Sequence, residues 1–354
     1  MEFSSQFGNI GVINPIDTFI TTNVEDVYSF DRVNDFRVLS VDSFEITPTQ
    51  NGDSVYVEIK SHDNVSSNYY FVTESFILKM CKILDIPPRF IQRCNTKLFI
   101  DSVHDGLKNV GSVKVMTRGK DVLVSMMNDN FIPISTKTSL NRILENSDEC
   151  VIDNAVCSEI GTCVCIVNKN SEVVVGGEEC HMGTVFYNSL GDFVPLSFYT
   201  YLHIDKIGSG VIVPIKGSGY SKKSKFSWKG FEKKLLYNQD VIEEVKIMSE
   251  MLSLPMTNLE TRNMYSFIKR IDEEMVEEVM GFGIDGFNVL SEEISVKLKY
   301  GDIFEFPEDN YRTNVFKRLV KFLKQLNNVL DIKNTMLFGG KLFVPKILDL
   351  DDNV

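Results

Sequence analysis

The segment 216–234, the basic aromatic segment below, combines lysines with aromatic side chains, which predicts a contact with single-stranded nucleic acid. Lysines neutralise phosphates without reading base sequence, and aromatic faces stack on unpaired bases at about 1–3 kcal/mol per base. Its glycines allow the backbone to approach a strand closely. The predicted contact residues are Lys216, Tyr220, Lys222, Lys223, Lys225, Phe226, Trp228, Lys229, Lys233 and Lys234.

The charge of the basic aromatic segment is opposite to that of the rest of the chain. Seven lysines against Glu232 give it +6, and the net charge of all 354 residues is −12, which leaves −18 elsewhere. A chain with this balance does not attract polyanions generally, so a nucleic-acid contact must come from a local patch. The alternative is a solvated linker that enters a helix whose Trp228 and Phe231 are core residues.

A second basic stripe is predicted on a helix near the C-terminus. Lys317, Lys321 and Lys324 are spaced i, i+4, i+7, so they share one helix face, with Arg318 beside them. Acidic runs at 272–274 and 277–278 offer partners for this stripe between subunits. The alternative interpretation is an ordinary solvated helix face.

Signals for metal binding and catalysis are weak. Five cysteines lie between residues 150 and 180, but Cys163 and Cys165 flank Val164 in a predicted strand, which favours buried side chains over zinc ligands. The chain has no phosphate-binding loop, no His-Glu-x-x-His and no Gly-x-Ser-x-Gly motif. We therefore predict no catalytic residue, no metal site and no cofactor, and an enzyme is the less favoured class.

The elements that must position these residues indicate an α+β fold. The first 215 residues are predicted to be mainly antiparallel β with short helices, because helical crossovers are missing between 150 and 215. A helix beginning after an N-cap at Thr73 ends at Pro87-Pro88, and another covers 138–145. The predicted strands are 55–60, 113–116, 122–125, 162–167, 172–175, 183–187 and 210–215.

The domain prediction divides the chain at the Gly, Ser and Lys-rich stretch 216–225, which is read as a linker. Residues 226–354 are predicted to be helical, ending in a short strand and an acidic tail. The clearest 3.6-residue periods cover 240–252, 258–280 and 314–330. The N-terminus lacks the pattern of a signal peptide, and no apolar run approaches the roughly 18 residues needed to cross a bilayer. Seven cysteines, an odd number, favour reduced thiols.

Several short blocks resemble the phage/plasmid-like proteins of unknown function over about residues 70–345. The family closes a helix on a Gly-Ile-Pro-x-Arg-aromatic turn, which Leu84–Ile91 resembles, and then has a strand leading into Ser-Asp-Arg-Tyr. The further matching blocks are 122–127 with 128–134, 139–144, Asn188-Ser189-Leu190-Gly191, and 314–330 followed by Gly339-Gly340. The family's arginine is Asn130 here, and the segment 203–210 lacks the family's cysteine.

The resemblance implies a phage or mobile-element origin, and with it a role near DNA replication or recombination. Together with the missing signal peptide and the reduced thiols, this predicts a location in the host cell cytoplasm or in a virion. The leading hypothesis is a self-associating protein that binds single-stranded nucleic acid and promotes annealing without nucleotide hydrolysis. One alternative is a structural or assembly protein of a virion, which fits the acidic net charge equally well. A metal-dependent nuclease or other metal-dependent enzyme is the third and least favoured hypothesis.

Overall fold

The computed structural model describes residues 18–48, 55–60, 67–91, 93–145, 149–175, 177–213, 220–221, 226–237, 245, 252, 256, 258–280 and 312–343. The chain divides into two compact units. Unit 1 comprises residues 1–139, 157–162 and 188–195, and unit 2 comprises residues 140–156, 163–187 and 196–354. Each unit combines helices with a sheet made largely of antiparallel strands, so the α+β prediction is confirmed.

Unit 1 contains runs of strands separated by helices. In chain order they are β1 (Phe19–Thr21), α1 (Val24–Arg32), β2 (Asn34–Ser40), β3 (Phe44–Pro48), β4 (Val55–Lys60), β5 (Ser67–Val72), α2 (Glu74–Ile83), α3 (Pro88–Ile91), α4 (Thr96–Leu107), β6 (Ser112–Arg118) and β7 (Val122–Asn128). Helix α5 (Thr136–Glu145) follows and passes from unit 1 into unit 2. Helix α1 was not predicted, although Asn23 accepts a hydrogen bond from the Glu25 N–H as its N-cap.

The sheet of unit 1 has the order β2-β6-β7-β5-β4-β3. Its pairs are antiparallel except for β5 and β7, which are parallel. The helices α2 to α4 supply the long crossover that a parallel pair requires. As predicted, the Thr73 side chain caps α2 by accepting a hydrogen bond from the Phe76 N–H at 3.2 Å. The apolar face of α2 packs with α4 in a core that includes Phe76, Met80 and Phe99.

The elements of unit 2 begin with strands and end with helices. They are β8 (Cys150–Ser158), β9 (Gly161–Val175), β10 (Glu178–Asn188), β11 (Ser197–Ile204), β12 (Ser209–Ile212), β13 (Tyr220–Ser221), α6 (Trp228–Tyr237), α7 (Asn258–Ile271), α8 (Val276–Met280), α9 (Arg312–Leu323) and α10 (Val329–Phe343). The strands β8 to β12 are neighbours in sequence order, and β13 pairs with β11. The pairs β10/β11, β11/β12 and β11/β13 are antiparallel, as predicted for this region.

Some element boundaries differ from the prediction. The two strands predicted at 162–167 and 172–175 form one continuous strand, β9. The helix predicted at 258–280 is interrupted between α7 and α8, where Asp272 accepts a hydrogen bond from the Glu274 N–H. The helix predicted at 314–330 ends at Leu323, and Asn328 caps the new helix α10 by accepting from the Leu330 N–H. Of the helix predicted at 240–252, only residues 245 and 252 are described.

Lys333 on α10 is a buried cation in unit 2, with 7% of the residue exposed. Its Nζ donates a hydrogen bond to Ser197 Oγ at 2.9 Å and lies 5.2 Å from the ring centre of Tyr187. Burial lowers the pKa of Lys333 to about 8, so these partners do not fully offset the hydration that the ammonium group loses. The unfolded chain therefore binds this proton more tightly than the folded chain between pH 8 and the ordinary lysine value.

We expect Lys333→Met to change how stability depends on pH. Because the pKa is lowered on folding, the Lys333 contribution to the free energy of unfolding rises with pH, by roughly 1–2 kcal/mol between pH 7 and pH 9. Urea unfolding at both pH values gives the free energy of unfolding of the wild type minus that of K333M. This difference should be more positive at pH 9 than at pH 7. The exposed Lys321→Met is the matched control and should show no such trend. A constant difference across pH would contradict the expectation.

Candidate nucleic-acid interface

Six of the ten predicted contact residues lie among the described residues. Tyr220 is in β13, Phe226 precedes α6, and Trp228, Lys229, Lys233 and Lys234 are in α6. The other four, Lys216, Lys222, Lys223 and Lys225, lie outside the described residues, as does most of the predicted linker. The part of 216–225 that is described, Tyr220–Ser221, is paired with a strand of unit 2.

The strand β13 places the ring of Tyr220 on the sheet of unit 2. Ser221 pairs with Ser197 and Tyr220 pairs with Phe198 on β11. The rings of Tyr220 and Phe198 are stacked, with their centres 5.9 Å apart and 12° between their planes. Partial burial raises the pKa of the Tyr220 hydroxyl, which therefore remains a hydrogen-bond donor at neutral pH.

Five aromatic residues, Phe198, Tyr220, Phe226, Trp228 and Phe231, form what we call the aromatic cluster. Phe231 lies at its centre with 0% exposure. Its ring centre is 5.0 Å from that of Phe198, 5.5 Å from Tyr220 and 5.7 Å from Trp228, all in edge-to-face arrangements. Phe226 meets Trp228 at 4.6 Å. Tyr220, Phe226 and Trp228 are half-buried residues at the margin of the cluster.

The first turn of α6 is fixed by the residue before it. Ser227 Oγ accepts a hydrogen bond from the Gly230 N–H at 3.3 Å, which satisfies one of the free donors at the helix start. Lys229 and Lys233 follow at spacing i, i+4 and are both exposed, whereas Lys234 is half-buried. The two exposed lysines therefore share one side of α6.

Arg142 contributes a cation that sequence inspection did not single out. Its guanidinium lies 4.2 Å from the ring centre of Trp228 and is ion-paired with Glu232. Glu232 is the one acidic residue of the basic aromatic segment, so this pair offsets the negative charge beside Lys229 and Lys233. The same contact covers part of Trp228, which limits the ring area open to a base.

The second basic stripe is largely engaged in contacts within unit 2. Lys317 Nζ lies 2.6 Å from a carboxylate oxygen of Glu178, and Lys324 Nζ donates to the Ile207 carbonyl at 2.7 Å. Arg318 donates to the Met280 carbonyl at 3.2 Å. Three of the four cations thus have partners in their own chain, which weakens the hypothesis that the stripe joins subunits.

The cysteines and histidines are arranged by the sheet of unit 2. Cys163 and Cys165 are buried, as predicted, and among the described residues no group of three or more His, Cys, Asp or Glu side chains is placed to hold a metal ion. The pairing of His181 with His203 across β10 and β11 brings together a polar group that the sequence did not predict. Asp205 lies 2.9 Å from His181, and Asp153 lies 3.3 Å from His203.

Burial lowers the pKa of His203, so this ring favours its neutral form. The pairing of His181 with His203 across β10 and β11 cannot be predicted from the positions of these two residues in the sequence.

Comparison of the chain with protein-family models, with curated proteins and with solved structures found no match. Among the described residues, no helix combines the length and the apolar content needed to cross a membrane.

The aromatic cluster generates a stability prediction. Phe231→Ala removes a fully buried ring that contacts four others, so we expect a loss of about 3–5 kcal/mol in the free energy of unfolding, measured with urea. Phe226→Ala, which removes a half-buried ring from the same cluster, is the matched control and should cost clearly less. Equal losses in the two variants would show that Phe231 is not the centre of the packing.

Proposed function

We propose that the chain binds single-stranded nucleic acid through the basic aromatic segment and acts, as a phage or plasmid protein, in annealing, recombination or replication without nucleotide hydrolysis. The observation that carries the proposal is that exposed Lys229 and Lys233 lie on α6, the helix that also carries the half-buried Trp228, whose ring is packed against Phe226. Cations next to aromatic surface are the combination with which proteins bind single strands.

The electrostatics around α6 support a local anion site. The pairing of Glu232 with Arg142 reduces its repulsion of a phosphate near the lysines. Neither Lys229 nor Lys233 forms an ion pair with an acidic side chain of the described residues. Because the chain outside the segment carries −18, attraction of a polyanion requires a local basic patch such as this segment. Binding should therefore be local and should weaken steeply with salt.

The aromatic cluster favours single strands over duplexes. Base faces in a duplex are stacked on one another and are not open to side chains, whereas an unpaired base can lie against a partly exposed ring. Lysine ammonium groups contact phosphates as point charges and do not distinguish bases. We therefore propose binding with little sequence preference, which suits a protein that coats or anneals strands.

A charge-reversal experiment tests the phosphate contacts. We expect K229E/K233E to lower the affinity for a fluorescent single-stranded oligonucleotide at least about tenfold at low salt. The slope of log K against log salt should fall by about 1.4, because each single-strand phosphate contact contributes about 0.7. K97E/K120E reverses two exposed lysines of unit 1 with the same change in net charge and is the matched control.

Equal losses in the two double variants would indicate a general charge effect and contradict the proposed interface. Light scattering with and without oligonucleotide separates the alternatives further. An assembly that forms without oligonucleotide and does not change when oligonucleotide is added would favour a structural or virion protein.

Tryptophan fluorescence offers an independent test, because Trp228 is the sole tryptophan of the chain. We expect a single-stranded oligonucleotide to quench this fluorescence with the same midpoint as the binding curve, since stacked bases quench an indole ring. Duplex of the same length should quench it weakly. Full binding without any change in fluorescence would place the contact away from Trp228.

A further inference from the structure

Strand β2 lies at one edge of the unit 1 sheet, and among the described residues no strand pairs with its outer side. It has seven residues, whereas the described edge strands β1, β3 and β12 have three, five and four, and β3 ends at Pro48. A free edge presents unpaired N–H and C=O groups to other chains, and short strands and proline are two ordinary protections against such pairing. Strand β2 has neither protection.

The bonds at the two ends of β2 show which backbone groups point away from β6. The Val33 carbonyl accepts from the Gly119 N–H at 3.1 Å, and the Val41 N–H donates to the Gly111 carbonyl at 3.4 Å. Because Gly111 and Gly119 flank β6, the backbone groups of Val33 and Val41 face that strand. Successive residues of a strand point their N–H and C=O groups to opposite sides. The outward-facing residues are therefore Asn34, Phe36, Val38 and Ser40.

Two of the outward-facing groups are bonded to side chains of the same segment, which agrees with this alternation. The Phe36 N–H donates to the Asp35 carboxylate at 2.8 Å, and the Ser43 hydroxyl donates to the Ser40 carbonyl at 2.7 Å. The Ser43 contact covers the end of the strand. The stretch 34–38 is left for pairing, and Val38 within it is 59% exposed.

The charges of the stretch 34–38 complement those of a second copy of the same strand. If two copies pair antiparallel about a twofold axis at Phe36, Asp35 of each copy lies opposite Arg37 of the other. Such a pair has no backbone hydrogen bonds between its members, so its side chains lie closest together. Both side chains are available, because they are 63% and 42% exposed and their ion pair within one chain is long, at 3.5 Å. An axis at Arg37 would instead place two guanidinium groups opposite each other.

We propose that β2 is a dimerisation edge, at which two copies of the chain pair antiparallel about Phe36 and join their unit 1 sheets. The Phe36 N–H of each copy exchanges its bond to Asp35 for a bond to the Phe36 carbonyl of the other copy. The released Asp35 carboxylate then pairs with Arg37 of the other copy. A contact of one short strand per copy is small, so the dimer is weak and depends on concentration. This proposal does not rest on the proposed function, since none of these residues belongs to the basic aromatic segment.

Charge reversal with complementation tests the register. In sedimentation velocity without nucleic acid, we expect the full chain to dimerise as its concentration rises. Asp35→Arg and Arg37→Asp should each weaken dimerisation at least about tenfold, because like charges then lie opposite each other. An equimolar mixture of the two variants should dimerise like the wild type, because every reversed charge then faces its opposite. Asp105→Arg and Lys108→Asp, which reverse an exposed ion pair on α4, are the matched controls and should leave dimerisation unchanged.

Val38→Pro tests the backbone contacts separately. The Val38 N–H faces away from β6, so proline removes a donor of the proposed pair and no hydrogen bond of the existing sheet. We expect the dimer to be lost with little change in melting temperature, whereas Val38→Ala, which keeps the N–H, should retain it.

A wild type that stays monomeric at every concentration would overturn the proposal. A dimer that the charge variants leave intact would also overturn it, because the contact would then lie elsewhere. Loss of the dimer in both charge variants without recovery in the mixture would contradict the pairing of Asp35 with Arg37. If Val38→Pro does not fold, the mixture decides alone, since the same two folded variants are compared apart and together.

Discussion

The packing of Phe231 is the interaction on which the candidate interface depends. Its ring joins α6, which carries Lys229 and Lys233, to Phe198 on β11 and Tyr220 on β13. Without this packing the two exposed lysines would belong to a helix of ten residues, a length at which isolated helices are marginal in water. The same rings therefore serve stability and, in the proposed function, recognition, so a binding variant must be checked for folding.

Two buried cations elsewhere in the chain have ion-pair partners, and Lys229 and Lys233 differ from them. Where cations are buried, the structure gives them partners: Lys79 binds Asp192, and Arg312 donates to both oxygens of Glu260 at 2.9 and 2.8 Å. Such partners are needed because an unpaired buried charge is costly. Lys229 and Lys233 on α6 are exposed and make no comparable ion pair among the described residues. In the proposed function, their partner is an external anion.

Local patterns predicted much of the fold because they act within a few residues. Thr73 as an N-cap, the hairpin of β6 and β7, and the strand β4 follow from spacing alone. The break between α7 and α8 was not predicted, because the Asp272 side chain competes for a backbone hydrogen bond within an otherwise helical pattern. The strand β11 was not predicted, although Ser197–Ile204 is rich in the aromatic and β-branched residues that favour strands.

The candidate interface and the small cleft lined by Asp31, Arg118 and Glu159 in unit 1 differ in how far sequence can reveal them. The basic aromatic segment is contiguous, so its composition alone identifies it, and only the contribution of Arg142 required coordinates. The residues of the cleft lie far apart in the chain and are unremarkable individually. Burial in the folded unit raises the pKa of Asp31 to about 6. Burial of this kind is a property of tertiary packing, so no local sequence pattern encodes it.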